Sequence, residues 1–182
     1  EVTMKQIGAT LAELMVVLAI AAILAGLAIP VFASLIHSSR LSSATTELLV
    51  SLHLARSEAI KRNSRAVICI SAGGSTCATG GGWHQGWLVF HDANNNAALD
   101  SGESVINARQ ALPDSIRVTG NSTVSKYISY APSGGTKSVT GAFQAGTLTV
   151  CNVADASGAA RRVVISSTGR PRVARVTLAS CP

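Results

Sequence analysis

The sequence predicts an α+β protein in which a long N-terminal helix, membrane-spanning in its first half, packs on an antiparallel β-sheet domain. Three observations predict it. An apolar run of about 23 residues without formal charge, Leu14 to Ile36, is long enough to cross a hydrocarbon core of roughly 30 Å as a helix. Leu41, Thr45, Leu48, Leu52, Ala55 and Ala59 then recur at spacings of three and four, the face of a helix about to be buried. Beyond residue 64 the apolar period falls to two, and strands follow one another without intervening helices, which favours antiparallel α+β over alternating α/β.

In chain order, residues 1–8 form a short leader containing Lys5, and residues 9–36 the apolar segment, with one carboxylate, Glu13, at its start. A carboxylate at membrane depth is costly and calls for a partner. Residues 37–63 continue the helix amphipathically, with Glu58 and Arg62 as an exposed i, i+4 pair and Asn63 as a stop. Residues 64–182 form the β-rich domain. Its expected strands are Ala66–Ile70, Trp87–Phe90, Ser104–Ile106, Ile116–Thr119, Lys126–Tyr130, Thr147–Cys151, Arg162–Ser166 and Val173–Leu178, separated by Gly/Ser/Asn/Pro clusters.

The formal charge of +6 suits an anionic partner. Four cysteines, Cys69, Cys77, Cys151 and Cys181, fit an exported domain with two disulfides. Three connectivities exist, and neighbour pairing is preferred. Cys77 lies in a Gly-rich loop just after the strand holding Cys69, and bonding the penultimate Cys181 to Cys151 would tie down a terminus. No CxxC pair suggests zinc. The four histidines, His37, His53, His84 and His91, are scattered, and neither a nucleophile with an orienting acid nor a phosphate loop is recognisable. No enzyme activity and no cofactor are expected.

Two clusters carry possible chemistry. Gly169-Arg170-Pro171-Arg172-Val173-Ala174-Arg175 reads as a hairpin tip, with Arg161 and Arg162 at the far end of the preceding strand. The segment from Cys151 to Pro182 holds five Arg and one acid, Asp155, a third of the basic charge of the chain. Arginine forks fit phosphate oxygens, and a loop can aim several at one strand of nucleic acid. A basic hairpin also keeps an edge strand from pairing. The second cluster is Asp92, Asn94, Asn96, Asp100 and Glu103, at positions 1, 3, 5, 9 and 12 of a calcium-loop pattern. Its sixth position is Ala97 rather than Gly, and a strand rather than a helix precedes it. An ordinary Asx-rich turn is therefore preferred to a calcium site. A membrane-anchored periplasmic calcium-binding module is the alternative from another class. Trp83 and Trp87 are expected in the core.

The N-terminus, Gly8-Ala9-Thr10-Leu11-Ala12-Glu13-Leu14-Met15, resembles that of type IV pilins and type II secretion pseudopilins. Ala55-Arg56-Ser57-Glu58-Ala59, Gly86-Trp87-Leu88-Val89-Phe90 with Asp92, and Gly102-Glu103 resemble the GspH/FimT group of that superfamily. The resemblance implies prepilin peptidase cleavage between Gly8 and Ala9. It also implies a role for Glu13 in assembly with other pilins through the N-terminal helix. The subunit would sit in the inner membrane with a periplasmic domain and then be built into a surface pilus. Gly169-Arg170-Pro171-Arg172 is similar to the Gly-Arg-x-Arg signature of FimT-type DNA receptors of natural transformation. That similarity implies non-specific binding of the DNA backbone by Arg170 and Arg172, with Arg175 as third member. A structural minor pilin, or a GspH-like pseudopilin without DNA binding, is the alternative.

Overall fold

The computed structural model describes residues 10–155 and 157–182, except for the side chains of 27–31 and 33. The chain divides into two compact units, one ending at Ile36 and one running from His37 to Pro182. Helix α1 covers Leu11–Arg62. It begins on a capping box. The Thr10 backbone N–H and hydroxyl both donate to Glu13 Oε2, at 2.8 and 3.0 Å, while the Glu13 N–H donates back to Thr10 Oγ1 at 3.2 Å. The Thr-x-x-Glu spacing is the signature of this cap, so two orphan amides of the first turn are satisfied reciprocally. Glu13 thus has a local role in addition to the one implied for assembly.

Within the first unit the described apolar side chains, Leu14, Met15, Val16, Val17 and Leu18 among them, are more than half exposed. Among the described residues no helix is long and apolar enough to cross a membrane. The expected span of 14–36 includes the six side chains that lie outside the description.

In the second unit the helix buries the face its periodicity predicted. Leu41, Thr45, Leu48, Leu52, Ala55 and Ala59 are all buried, joined by Ala44 and Ser51. The helix ends where Asn63 turns left-handed, with φ 48°. The Asn63 N–H bonds to the Ile60 carbonyl and the Ser64 N–H to that of Ala59, both at 3.2 Å, which makes a Schellman cap on asparagine. One turn earlier, Arg62 Nε donates to Glu58 Oε2 at 2.7 Å, the expected pair.

Eight strands follow: β1 Arg65–Ile70, β2 Trp87–Asp92, β3 Val105–Arg109, β4 Ile116–Gly120, β5 Tyr127–Tyr130, β6 Gly146–Asn152, β7 Ala159–Ile165 and β8 Pro171–Thr177. They form two antiparallel four-stranded sheets, β3-β2-β1-β5 and β4-β6-β7-β8. The main core gathers the helix face, alternate residues of the first sheet (Ala66, Ile68, Ile70, Trp87, Val89, Ile128, Tyr130) and alternate residues of the second (Ile116, Val118, Leu148, Val150, Val163, Ile165). Both tryptophans are fully buried, as expected. Their indole N–H groups donate to the Val124 carbonyl at 2.9 Å and to Ser51 Oγ at 2.8 Å.

Strands β1 and β2 read as continuous apolar runs because their other face is covered too. Val67, Cys69, Leu88 and Phe90 form a smaller core roofed by Cys77, Ala97, Leu99 and Tyr127. The Cys69–Cys77 disulfide pins the 71–82 loop over that face, and Cys151–Cys181 ties the last residues back to β6, so neighbour pairing is what the structure has.

Candidate functional site

The arginine cluster lies on β7, on β8 and in the turn between them. Strand β8 is the outer strand of its sheet. It starts at Pro171 rather than at the expected Val173, and Pro is admissible there because a first residue on an edge strand need not donate to a ladder. Arg172 and Arg175 are therefore strand residues, and only Gly169 and Arg170 belong to the turn. Gly169 adopts φ +75°, and its N–H donates to the Ser166 carbonyl at 2.8 Å. A Cβ at position 169 would come within 2.0 Å of the Gly134 carbonyl oxygen, so glycine is needed both for the turn and for this close approach.

The register refines one spatial expectation. Arg161 and Arg162 lie toward the end of β7 away from the turn and Arg170, as expected, but Arg175 is in β8 directly opposite Arg161, while Arg162 faces Ala174 and Val164 faces Arg172. Directly paired residues share a sheet face, and diagonal neighbours lie roughly 7–8 Å apart. The arginines consequently divide between two faces. Arg162 and Arg172 are diagonal neighbours on the outer face, together with Thr147 and Thr149 of β6 and Arg117 of β4. Arg161 and Arg175 form a cross-strand pair on the other face, at the open edge. Both faces of β8 are largely exposed, so Arg172 reaches solvent from within the strand. Arg117, whose Nη1 bonds His84 Nε2 at 2.7 Å, was not singled out in the sequence. Its alternation with buried Ile116 and Val118 was the available signal.

Among the described residues none of Arg161, Arg162, Arg170, Arg172 and Arg175 has an ion-pair partner; the salt bridges join Glu58 to Lys61 and Arg62, and Glu47 to Arg109. Asp155, the one acid of the C-terminal segment, accepts the Ser157 backbone N–H at 3.0 Å. That bond holds its carboxyl below the ordinary aspartate value. Other basic side chains are structural: Arg65 donates to Ser129 Oγ and to the Lys137 and Ser138 carbonyls, and Arg56 to the Gly134 carbonyl. Like charges paired across strands repel. The hairpin therefore holds five guanidinium forks, two on each face and one in the turn, with no ion-pair partner among the described residues to offset them.

The Asp92–Glu103 loop is an Asx-rich turn. Buried Asp92 accepts the Asn96 and Ala97 N–H groups, each at 3.1 Å, and Glu103 accepts those of Ala93 and Asp100 at 2.7 and 3.2 Å. Asn94 and Asn96 both donate to Asp100 Oδ2, at 2.8 and 2.7 Å. Ala97, at the position where a calcium loop has glycine, adopts φ 57°. Among the described residues no three His, Cys, Asp or Glu side chains are grouped to hold a metal. Gly8 and Ala9, expected at the processing site, lie outside the described residues.

A helix packed on two antiparallel sheets thus carries a disulfide-tied basic edge hairpin. The family model for the type II transport protein GspH matches residues 44–169. The chain is 32% identical over 178 residues to the pilin-like protein PilA1 of Thermus thermophilus, a match covering 93% of this chain and 99% of that protein. Its fold is similar to that of the type IV minor pilin FimU of Pseudomonas aeruginosa, with a TM-score of 0.58 at 21% identity over 80% of this chain and 97% of that one. It is also similar to the minor pseudopilin EpsH of the Vibrio cholerae type 2 secretion system, with a TM-score of 0.50 at 11% identity over 74% and 96% of the two chains. The chain belongs to the GspH family of type IV minor pilins and type II secretion pseudopilins.

Proposed function

We propose that this protein is a membrane-anchored minor pilin that holds extracellular DNA, without sequence preference, on its C-terminal arginine hairpin for uptake in transformation. The observation that carries the reading is the set of five guanidinium groups without ion-pair partners among the described residues on β7, on β8 and in their turn, with Arg161 opposite Arg175 and Arg162 diagonal to Arg172. Such a set suits a polyanion read through its phosphates, because several forks can each engage a separate oxygen. The anchoring part of the proposal rests on the apolar run of 14–36 and on membership of the family. In it, prepilin peptidase frees Ala9, and Glu13 meets the new amine of a neighbouring subunit.

Duplex binding by the full chain in detergent micelles tests the proposal, measured at two salt concentrations beside a variant carrying Arg170→Gln, Arg172→Gln and Arg175→Gln. Three phosphate contacts give a log–log salt slope near −2.7, about −0.9 for each. Salt-weakened binding that the variant loses while keeping its circular dichroism supports the proposal. Binding that is absent, or unchanged in the variant, leaves a structural minor pilin or pseudopilin whose hairpin meets neighbouring subunits.

A further inference from the structure

No aromatic residue lies near the arginines in sequence, but the fold brings one beside their turn. Phe143 is 78% exposed, the highest exposure among the large apolar residues of the second unit. A single exposed phenyl needs no explanation in itself. This one is held on a fixed mount and has cationic neighbours. Lys137 and Phe143 form an antiparallel bridge, so their side chains leave the backbone on the same face. Next to Phe143, buried Gln144 is clamped three ways: its Oε1 accepts the Ser129 N–H, and its Nε2 donates to the Thr123 and Tyr127 carbonyls, all at 2.9 Å. Next to Lys137, buried Thr136 donates its hydroxyl to the Gln144 and Ser166 carbonyls, and its N–H to that of Ser167. The β7–β8 turn is thereby fastened to the segment that presents the ring.

Between them is a cleft of about 400 Å³ lined by Phe143, Lys137, Arg56, Ser167 and Thr168. Arg56 is fixed through Nε on the Gly134 carbonyl at 3.0 Å, which leaves its terminal nitrogens for a ligand. Arg170 follows Thr168 by two residues. An exposed ring, two cations and two hydroxyls around a cleft of nucleotide size have the composition of a stacking platform for an unpaired base.

We propose that this cleft is a nucleotide subsite for single-stranded DNA, in which a base lies on the Phe143 ring and the flanking phosphates meet Lys137 and Arg56, on the way to Arg170. The inference rests on the DNA-binding reading and adds to it a preference for unpaired strands. In a duplex the base faces are occupied by their neighbours and cannot reach the ring.

The test measures fluorescence anisotropy with the full chain in detergent micelles. The probes are an oligothymidylate, an abasic strand of equal length and a duplex. The proteins are the parent chain, Phe143→Ala, Phe143→Tyr and the triple arginine variant. The parent is expected to bind oligothymidylate more tightly than the abasic strand. Phe143→Ala should lose about ten-fold on oligothymidylate, leaving the abasic strand and duplex unchanged, and Phe143→Tyr should retain the parent affinity. If Phe143→Ala leaves oligothymidylate binding unaltered, or weakens all three probes equally, the stacking subsite is wrong. When the triple variant still loses every probe in that case, the arginine reading survives alone. If the parent binds none of the probes, both readings fall.

Discussion

Gly169 is the single position on which the geometry of the basic hairpin depends most. Its φ of +75° disfavours any L side chain, and a Cβ there would come within 2.0 Å of the Gly134 oxygen. Gly169→Ala must therefore displace the turn or the 134–136 segment, and should cost about 1–3 kcal/mol, read as a lower midpoint in thermal or denaturant unfolding. Glu58 tests the electrostatics of the helix end. Its hydrogen bond from Arg62 holds the carboxyl below its ordinary value. The unfolded chain then binds the proton more readily than the folded one. The pair's contribution is complete above the unfolded pKa of about 4.3 and is lost as pH falls through the lower folded value. Glu58→Gln should cost only a few tenths of a kcal/mol at neutral pH. The gap between variant and parent should close on acidification, as denaturant titrations at both pH values would show.

At the scale of elements, the two disulfides close loops of different length around different strands. Cys69–Cys77 spans 8 residues and Cys151–Cys181 spans 30. Loop-closure entropy predicts that Cys151→Ser with Cys181→Ser costs more than Cys69→Ser with Cys77→Ser, about 3.5 against about 2.5 kcal/mol. Paired unfolding curves check the order, and hydrogen exchange in β8 should accelerate only in the first variant. The Asp92–Glu103 loop gives a second element-level prediction. Asp92 supports two backbone amides from a buried position, so Asp92→Ala should lower stability by about 1–3 kcal/mol with or without calcium. Calcium should leave the melting temperature of the parent unchanged. A calcium-dependent rise would restore the metal-binding reading.

At the scale of the whole molecule, the proposed function depends on repetition as well as on one site. A single chain offers a handful of phosphate contacts, and affinity from so few falls steeply with salt. Subunits arrayed on one strand convert later contacts into intramolecular ones. Filaments containing the chain should therefore hold DNA at salt concentrations that release it from the isolated chain. Equal salt sensitivity of the two, in parallel titrations, would argue against an arrayed receptor.

The helix, its buried face, its asparagine stop and all eight strands were legible in the sequence, because each is written as a local period closed by a turn former. The capping box of Thr10 and Glu13 was not read from the sequence, although its Thr-x-x-Glu spacing stands there. Neighbour disulfides were a preference among three connectivities, and the structure has that pairing. What the sequence could not settle was anything set by register. Whether Arg161 stands beside Arg175 or a strand length from it depends on a single offset in pairing, and the expected strand ends were off by up to three residues at β7 and by two at β8. Strand parity alone puts Arg161 and Arg162, and likewise Arg172 and Arg175, on opposite faces; the pairing decided which of them are neighbours. Phe143 and Lys137 reached the β7–β8 turn through hydrogen bonds of Thr136 across some 30 residues of chain, contacts that leave no local pattern. Local chemistry thus determined the elements and the supply of charge. Only long-range pairing, which carries no short-range sequence period, decided which charges meet.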